Sequence, residues 1–257
     1  MNRQPENGKV SCKNSKICFI SSLYSDGNNF DSPGRFEKIE GHEYFMFTNL
    51  ANLRSDWNVV NTNGIKEINS IDCNIRKSRY AKFLGWDILS KLGLNCDYVV
   101  YCDAYITPNV TNWGDVLKKI DGLDFAFMQR DHPEKSVRNG GIIREAELII
   151  QCGKDSYRSM KKTIDFFQSK FPKVPLQYPQ YYENTVFAYK PDCKKFQEIT
   201  SEFWEIYTNE DISYRDQPLW NLLLLKNNLK PLIDNDFKNN FRENGVMHNG
   251  HVYPNKN

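Results

Sequence analysis

The chain has 257 residues, 40% of them hydrophobic and 14% aromatic, enough to build a full core as one large domain or two small ones. Its 34 basic and 32 acidic side chains leave a net charge of +2, so no overall field argues for nucleic acid or an anionic membrane surface. A phosphate ligand would have to meet a local cluster. Residues 1–16 are polar and lack the apolar core of a signal peptide, and nowhere do about 18 uncharged apolar residues run together as a membrane span requires.

After a lead over 1–16 that reads as disordered, Ile17 to Tyr24 is expected as a buried strand ending in the turn Ser25-Asp26-Gly27-Asn28-Asn29. Tyr44 to Thr48 is a second strand and Trp57 to Val60 a third. Arg76 to Leu92 reads as one amphipathic helix, because Tyr80, Leu84, Ile88 and Leu92 recur along one face, and Gly93 stops it. An apolar strand then runs into Asp103. Thr111 is expected to cap a short helix through Trp113 to Ile120, and Leu123 to Met128 is another buried strand. The polar stretch from Gln129 to Gly141, with Asn139-Gly140-Gly141 at its end, reads as a movable lid. Helices over about 144–152 and 157–171, the strand Thr185 to Tyr189, and helices over 193–207 and 217–227 complete the series. Strands alternating with helices, without repeats or linkers, favour one α/β domain over 17–257.

Seven cysteines (Cys12, Cys18, Cys73, Cys96, Cys102, Cys152 and Cys193) form no CxxC pair and are odd in number, which fits reduced, buried thiols in a reducing compartment. The sequon Asn109-Val110-Thr111 is expected to carry no glycan, because residues 1–16 do not read as an export signal.

Chemistry-bearing residues fall at element edges. Asp103 ends an apolar strand, the side of an open α/β sheet that borders the ligand crevice, where its carboxylate would bind a cation or a ribose hydroxyl, or accept hydrogen bonds from the next loop. Asp216, followed by Gln217-Pro218 and an apolar run, reads as a helix N-cap whose free oxygen, with Arg215, faces the cleft. Arg76, Lys77, Arg79 and Lys82 form a basic cluster in which Arg76 and Arg79 share a face, suited to a diphosphate or to a solvated helix surface. Glu183 stands beside Tyr178, Tyr181 and Tyr182, rings able to stack on sugars or simply to pack. His132 lies in the lid stretch, and His248 and His251 offer imidazoles from a C-terminal segment that would otherwise fray.

Taken in order, ICFISSLY, EYFMFTN, SDWNVV, RKSRYAKF, YVVYCDAYI, Arg130-Asp131-His132-Pro133, YYENTVF, Phe203-Trp204 and YRDQPLWN resemble the glycosyltransferase domain related to plant seed-mucilage proteins, long catalogued as a domain of unknown function. The resemblance spans residues 17–233 and implies a GT-A-like, Rossmann-type α/β domain with a mixed, mostly parallel sheet flanked by helices. It implies transfer of a hexosyl or pentosyl group from a nucleotide-diphosphate sugar, a UDP-sugar first, to a carbohydrate hydroxyl in glycan biosynthesis. Asp103 would take the place of the first acid of the Asp-x-Asp motif and Tyr105 that of the second, so a Mn or Mg ion would be shared by Asp103 with His248 or His251, or replaced in part by Arg76, Arg79 and Lys82. Ser21, Ser22 and Tyr24 would hold base and ribose, His132 phosphate or sugar, and Asp216, Glu183 and Arg215 the transferred sugar and acceptor, with Asp216 first and Glu183 second as base. Plant members are anchored in the secretory pathway; without an anchor here, a cytoplasmic setting is expected. Two rivals stay open. A sugar nucleotidyltransferase would want a glycine-rich loop that Ser21 to Asp26 lacks, and Tyr105 favours a non-catalytic carbohydrate-binding relative.

Overall fold

The computed structural model describes residues 15–26, 32–71 and 73–243. Chain order runs β1 (Ile17–Leu23), β2 (Glu43–Thr48), β3 (Asn58–Asn61), α1 (Lys66–Asn69), α2 (Asn74–Phe83), α3 (Gly85–Lys91), β4 (Tyr98–Cys102), β5 (Ile106–Pro108), α4 (Trp113–Leu117), β6 (Phe127–Asp131), α5 (Lys135–Gln151), α6 (Tyr157–Lys170), β7 (Tyr182–Tyr189), α7 (Lys194–Asn209), α8 (Asp216–Lys226), β8 (Leu232–Ile233) and β9 (Phe241–Glu243). Seven strands form one sheet in the order β3-β2-β1-β4-β7-β6-β8, while β5 and β9 pair apart from it. Neighbours in the large sheet are parallel except at β7, which runs against both β4 and β6. This is the mixed, mostly parallel, helix-flanked sheet expected from the sequence.

β1 and β4 are buried at every position, as central strands covered on both faces must be. Alternation along them separates two aromatic layers. On one face Phe83, Phe187, Phe203 and Trp220 pack together, joining α2, β7, α7 and α8. On the other, Phe19 stacks on Tyr44 and meets Trp113 edge-on, with Phe241 beyond, so α4 and the small β5–β9 pair cover that side. No helix of the described residues is long and apolar enough to cross a membrane.

Several expectations shift. The helix expected over 76–92 is two, α2 and α3, broken at Leu84 (φ −110°, ψ 24°) where the chain closes on β1. A Cβ on Gly85 would run into the end of the buried Ile20 side chain, which would have to move for any larger residue. The stretch 129–141 is not a free lid loop: β6 extends through Asp131 and α5 begins at Lys135, interrupted only at Gly141, whose φ of 61° and ψ of −145° suit glycine alone. Thr111 does not cap α4; Asn112 holds the N-cap position. The strand expected over 123–128 lies later, as β6.

The expectation of reduced thiols throughout is overturned at Cys18 and Cys96, which form a disulfide with a Cα separation of 5.9 Å. The parallel register of β1 on β4 brings them together, since Ile17 stands opposite Tyr98 and Lys16 exchanges hydrogen bonds with Asp97. Cys73, Cys102, Cys152 and Cys193 are free. The reducing compartment expected from the cysteine count loses that support.

Candidate active site

β1, β4 and β6 end at one edge of the sheet, and the reversed β7 begins there. Consequently Ser22, Asp103, Arg130 and the Glu183-Asn184 pair arrive at the same place from four strands. The Asp103 amide donates to Thr185 O at 3.0 Å, carrying the β4–β7 pairing one residue past the strand. Asp103 and Tyr101 are two apart and share a face, and the Tyr101 hydroxyl donates to Asp103 Oδ1 at 2.9 Å. Burial, then the Asp103 charge, push the Tyr101 phenol well above its ordinary range, so it stays a neutral donor.

From the helical layer, α2 sends two cations toward this edge. The Lys82 ammonium lies 3.4 Å from Asp103 Oδ1 and 3.1 Å from Asp216 Oδ2, and Arg79 Nε lies 3.2 Å from Asp216 Oδ1. Asn184 Nδ2 donates to the same Asp216 oxygen as Lys82, at 3.4 Å. The side chain of Asp103 is 30% exposed and that of Asp216 only 6%, so Asp103 is the carboxylate of this cluster that a ligand can reach. Burial would raise the Asp216 carboxyl, but the charges of Arg79, Lys82 and Arg215 outweigh it and hold the group far below the usual carboxylate range. Asp216 occupies the first position of α8 and Arg215 the N-cap, which corrects the expected capping role. Arg215 Nε is buried without a hydrogen-bond partner.

A second cluster continues the edge. Arg130 Nε lies 2.7 Å from Glu183 Oε2, and Gln129 Nε2 donates to Glu183 O and Asn184 Oδ1 at 2.7 and 2.6 Å. Gln217 accepts from the Asn184 amide and donates to Glu145 Oε1 at 3.1 Å, and His132 Nε2 lies 3.6 Å from Glu145 Oε2. His132 Nδ1 accepts from the Glu134 amide, which leaves the proton of the neutral ring on Nε2, facing Glu145. Burial lowers the His132 pKa and raises that of Glu145. His132 is thus packed under α5 rather than carried on an open lid.

Of the residues expected at the site, Asp103, Asp216, Arg79, Lys82 and Ser22 are brought together; Ser22 Oγ lies 3.4 Å from the Tyr101 hydroxyl and donates to Ser78 O. Glu183 and His132 stand further along the same edge, and Arg215 precedes α8. Ser21 is fully buried and, one residue from Ser22, turns to the opposite face. Tyr24 lies past the end of β1 with its hydroxyl 2.8 Å from Thr62 Oγ1. Arg76 does not share the diphosphate face with Arg79: its guanidinium donates to Tyr207 O and Ile212 O and stacks over the Tyr207 ring. Tyr178 and Tyr181, expected as sugar platforms, are buried, and their hydroxyls have no hydrogen-bond partner. Sequence reasoning missed Tyr101, Asn184, Gln217 and Glu145, of which only Tyr101 carried a signal, its place two residues before Asp103.

His248 and His251 lie outside the described residues. Among the described residues no group of three His, Cys, Asp or Glu side chains forms a cation cage. Among the described residues the donor set at Asp103 is one carboxylate with a lysine ammonium 3.4 Å away, which by itself does not suit a divalent ion.

No protein-family model matches the chain, and no curated protein does. Among solved structures it is similar to mouse xyloside xylosyltransferase 1 in its apo form, at 8% identity and a TM-score of 0.49, with 85% of each chain covered.

Proposed function

We propose that the chain is a glycosyltransferase that moves a hexosyl or pentosyl group from a nucleotide-diphosphate sugar, UDP-sugars first, to a carbohydrate hydroxyl. The observation that carries this reading is the bridge made by Lys82 between Asp103, at the end of β4, and Asp216, at the start of α8. It supports a cleft in which one partly exposed carboxylate stands beside fixed positive charge.

Ser22 and Tyr24, past or near the end of β1, border the base and ribose, and Asp103 holds ribose hydroxyls. When the bond from the sugar to the diphosphate breaks, negative charge grows on the departing oxygen, and preorganised cations lower the barrier because they need not reorient. Arg79 and Lys82 supply that charge. Asp216, expected as the base, is buried between two cations, which suits it to hold them in place rather than to take up a proton. The missing second acid at Tyr105 keeps one rival in view, a carbohydrate-binding protein without turnover.

The test is a thermal-shift and turnover panel of UDP-, GDP- and TDP-sugars with and without Mn²⁺. One donor class should stabilise the wild type and yield a nucleoside diphosphate on transfer. Stabilisation that persists unchanged in Asp103→Ala would sink the donor-site assignment. Release of pyrophosphate would identify a nucleotidyltransferase, and sugar binding without product a non-catalytic relative.

A further inference from the structure

Beyond the Glu183–Arg130 pair the sheet edge opens into a cleft of about 340 Å³ lined by Arg130, Asp131, Pro133, Arg138 and Asn235. Asp131 ends β6 opposite Tyr182, three positions along β7 from Thr185, which bonds Asp103; that is roughly 10 Å at the usual strand rise. Cleft and Asp103 therefore share one edge, offset across it by two strand spacings, again roughly 10 Å, which with the offset along the strands makes about 14 Å in all.

The acids at this edge differ in one respect. Asp103 and Asp216 are paired with Lys82, Asp216 also with Arg79, Glu183 with Arg130, and Glu145 faces His132. Asp131 pairs with no cation among the described residues. Its side chain only accepts from Asn235 Nδ2 at 3.5 Å, while its amide donates to Asn235 Oδ1 at 3.1 Å, so backbone and loop aim the carboxylate without neutralising it. Arg138 is the complementary case. One of its terminal nitrogens donates to His132 O and Pro133 O at 2.6 and 3.1 Å, which fixes the guanidinium, and no carboxylate among the described residues pairs with it. Arg130, Glu183, Arg138 and Asp131 together carry no net charge. A fixed donor plane and a free acceptor carboxylate, in a cleft without excess charge, suit an uncharged polyol: one hydroxyl donates to the carboxylate while another accepts from the guanidinium. An anionic sugar would be repelled by Asp131 as much as it is drawn by Arg138.

We propose that this cleft is the acceptor subsite, that it takes an uncharged sugar with neighbouring hydroxyls, and that Asp131 is the base of the transfer. This rests on the glycosyltransferase reading above. In the step, the acceptor O–H proton passes to an Asp131 oxygen as the acceptor oxygen bonds to the anomeric carbon. The bond from that carbon to the diphosphate oxygen breaks, its electron pair leaves with the nucleoside diphosphate, and the Asp131 proton is then lost to water. Attack from the side opposite the leaving group makes the enzyme inverting.

Two measurements test this on the full chain, with the preferred nucleotide sugar and a neutral oligosaccharide or its uronic-acid counterpart as acceptors. Asp131→Asn should keep donor stabilisation and acceptor affinity while transfer falls about 10²–10⁴-fold, the range of a lost general base. Arg138→Ala should raise the KM for the neutral acceptor about tenfold with little change in donor affinity, and the wild type should prefer the neutral acceptor and give a product of inverted anomeric configuration. Full turnover in Asp131→Asn, a retained configuration or a preference for the uronic acid would overturn the proposal. If the wild type binds neutral sugar and loses it in Arg138→Ala and Asp131→Ala, as saturation-transfer NMR would read, yet neither binds donor nor turns over, the transferase reading, the acceptor subsite and the Asp131 base fail while the cleft's preference for neutral sugar stands.

Discussion

The carboxylate of Asp216 lies 3.1 Å from the ammonium of Lys82, and both side chains are almost completely withdrawn from water, at 6% and 4% exposure. A buried pair of this kind is costly to assemble and more costly to break on one side, because the remaining charge cannot be rehydrated. The two groups tie α2 to the start of α8 and, through Asp103, to the end of β4.

Replacing Asp216 with Ala should therefore cost about 3–5 kcal/mol of folding stability, read by urea denaturation at neutral pH. Asp216→Asn, which keeps shape and loses charge, should lie between that variant and the wild type. A loss below 1 kcal/mol in Asp216→Ala would show that Arg79 and Lys82 find solvent when their partner is removed.

The same pair sets a pH dependence. Because the folded-state pKa of Asp216 is depressed below its unfolded value, the stability it contributes is complete above an unfolded carboxylate pKa of about 4 and is lost as pH falls from there toward the folded value. Urea titrations of the wild type below about pH 4 should show a steeper loss than those of Asp216→Asn.

Arg76→Ala should act on stability and not on ligand. Its guanidinium serves two backbone carbonyls, Tyr207 O and Ile212 O, and charged hydrogen bonds of this kind contribute roughly 1.5–3 kcal/mol each. Denaturation midpoints should fall while the Kd for the preferred nucleotide sugar stays within about twofold, whereas Arg79→Ala should change both. A donor affinity that drops tenfold in Arg76→Ala would restore the residue to the ligand face.

Gly141→Ala should destabilise by roughly 1–3 kcal/mol on backbone grounds alone. The added Cβ would also meet Leu176 O and the Tyr178 ring at 2.9 Å. Thermal denaturation reads the loss. Because α5 carries both Arg138 and Glu145 across that break, acceptor KM should rise as well.

The Cys18–Cys96 bridge closes a sequence separation of 78 residues, for which loop-closure entropy gives about 4.5 kcal/mol. Thiol counting under non-reducing denaturation should find both cysteines blocked, and Cys18→Ala/Cys96→Ala should unfold several degrees earlier. If both thiols react freely and the double variant is as stable as the wild type, the pair is reduced in solution.

Much of this edge could be read from the chain. The apolar runs of β1 and β4 announced themselves as strands buried on both faces, and Asp103 stood visibly where such a strand gives out. Other relationships were hidden for physical reasons. Steps of three residues along α2 rotate by roughly 60° each, so the spacing of Arg76, Arg79 and Lys82 allows neighbours to pair but does not say which pair faces the sheet. The structure turns Arg79 and Lys82 inward and leaves Arg76 to the α7–α8 connection. Strand direction was equally silent in the sequence, since Tyr182–Tyr189 reads the same either way, yet its reversal is what delivers Thr185 to Asp103 and Asn184 to Asp216. The Cys18–Cys96 contact follows from register between two strands, which spacing does not encode.

The reversed strand has a practical side for anyone redesigning recognition here. A neighbour such as β4 meets that edge as it leaves the sheet, but β7 meets it on the way in, so Tyr182–Asn184 lie at the edge while Val186–Tyr189 stay sealed in the interior. Changes at Glu183, partly exposed at that edge, could thus vary what is recognised without repacking the layer around Phe187, and the sheet would serve as an unaltered chassis for new specificities.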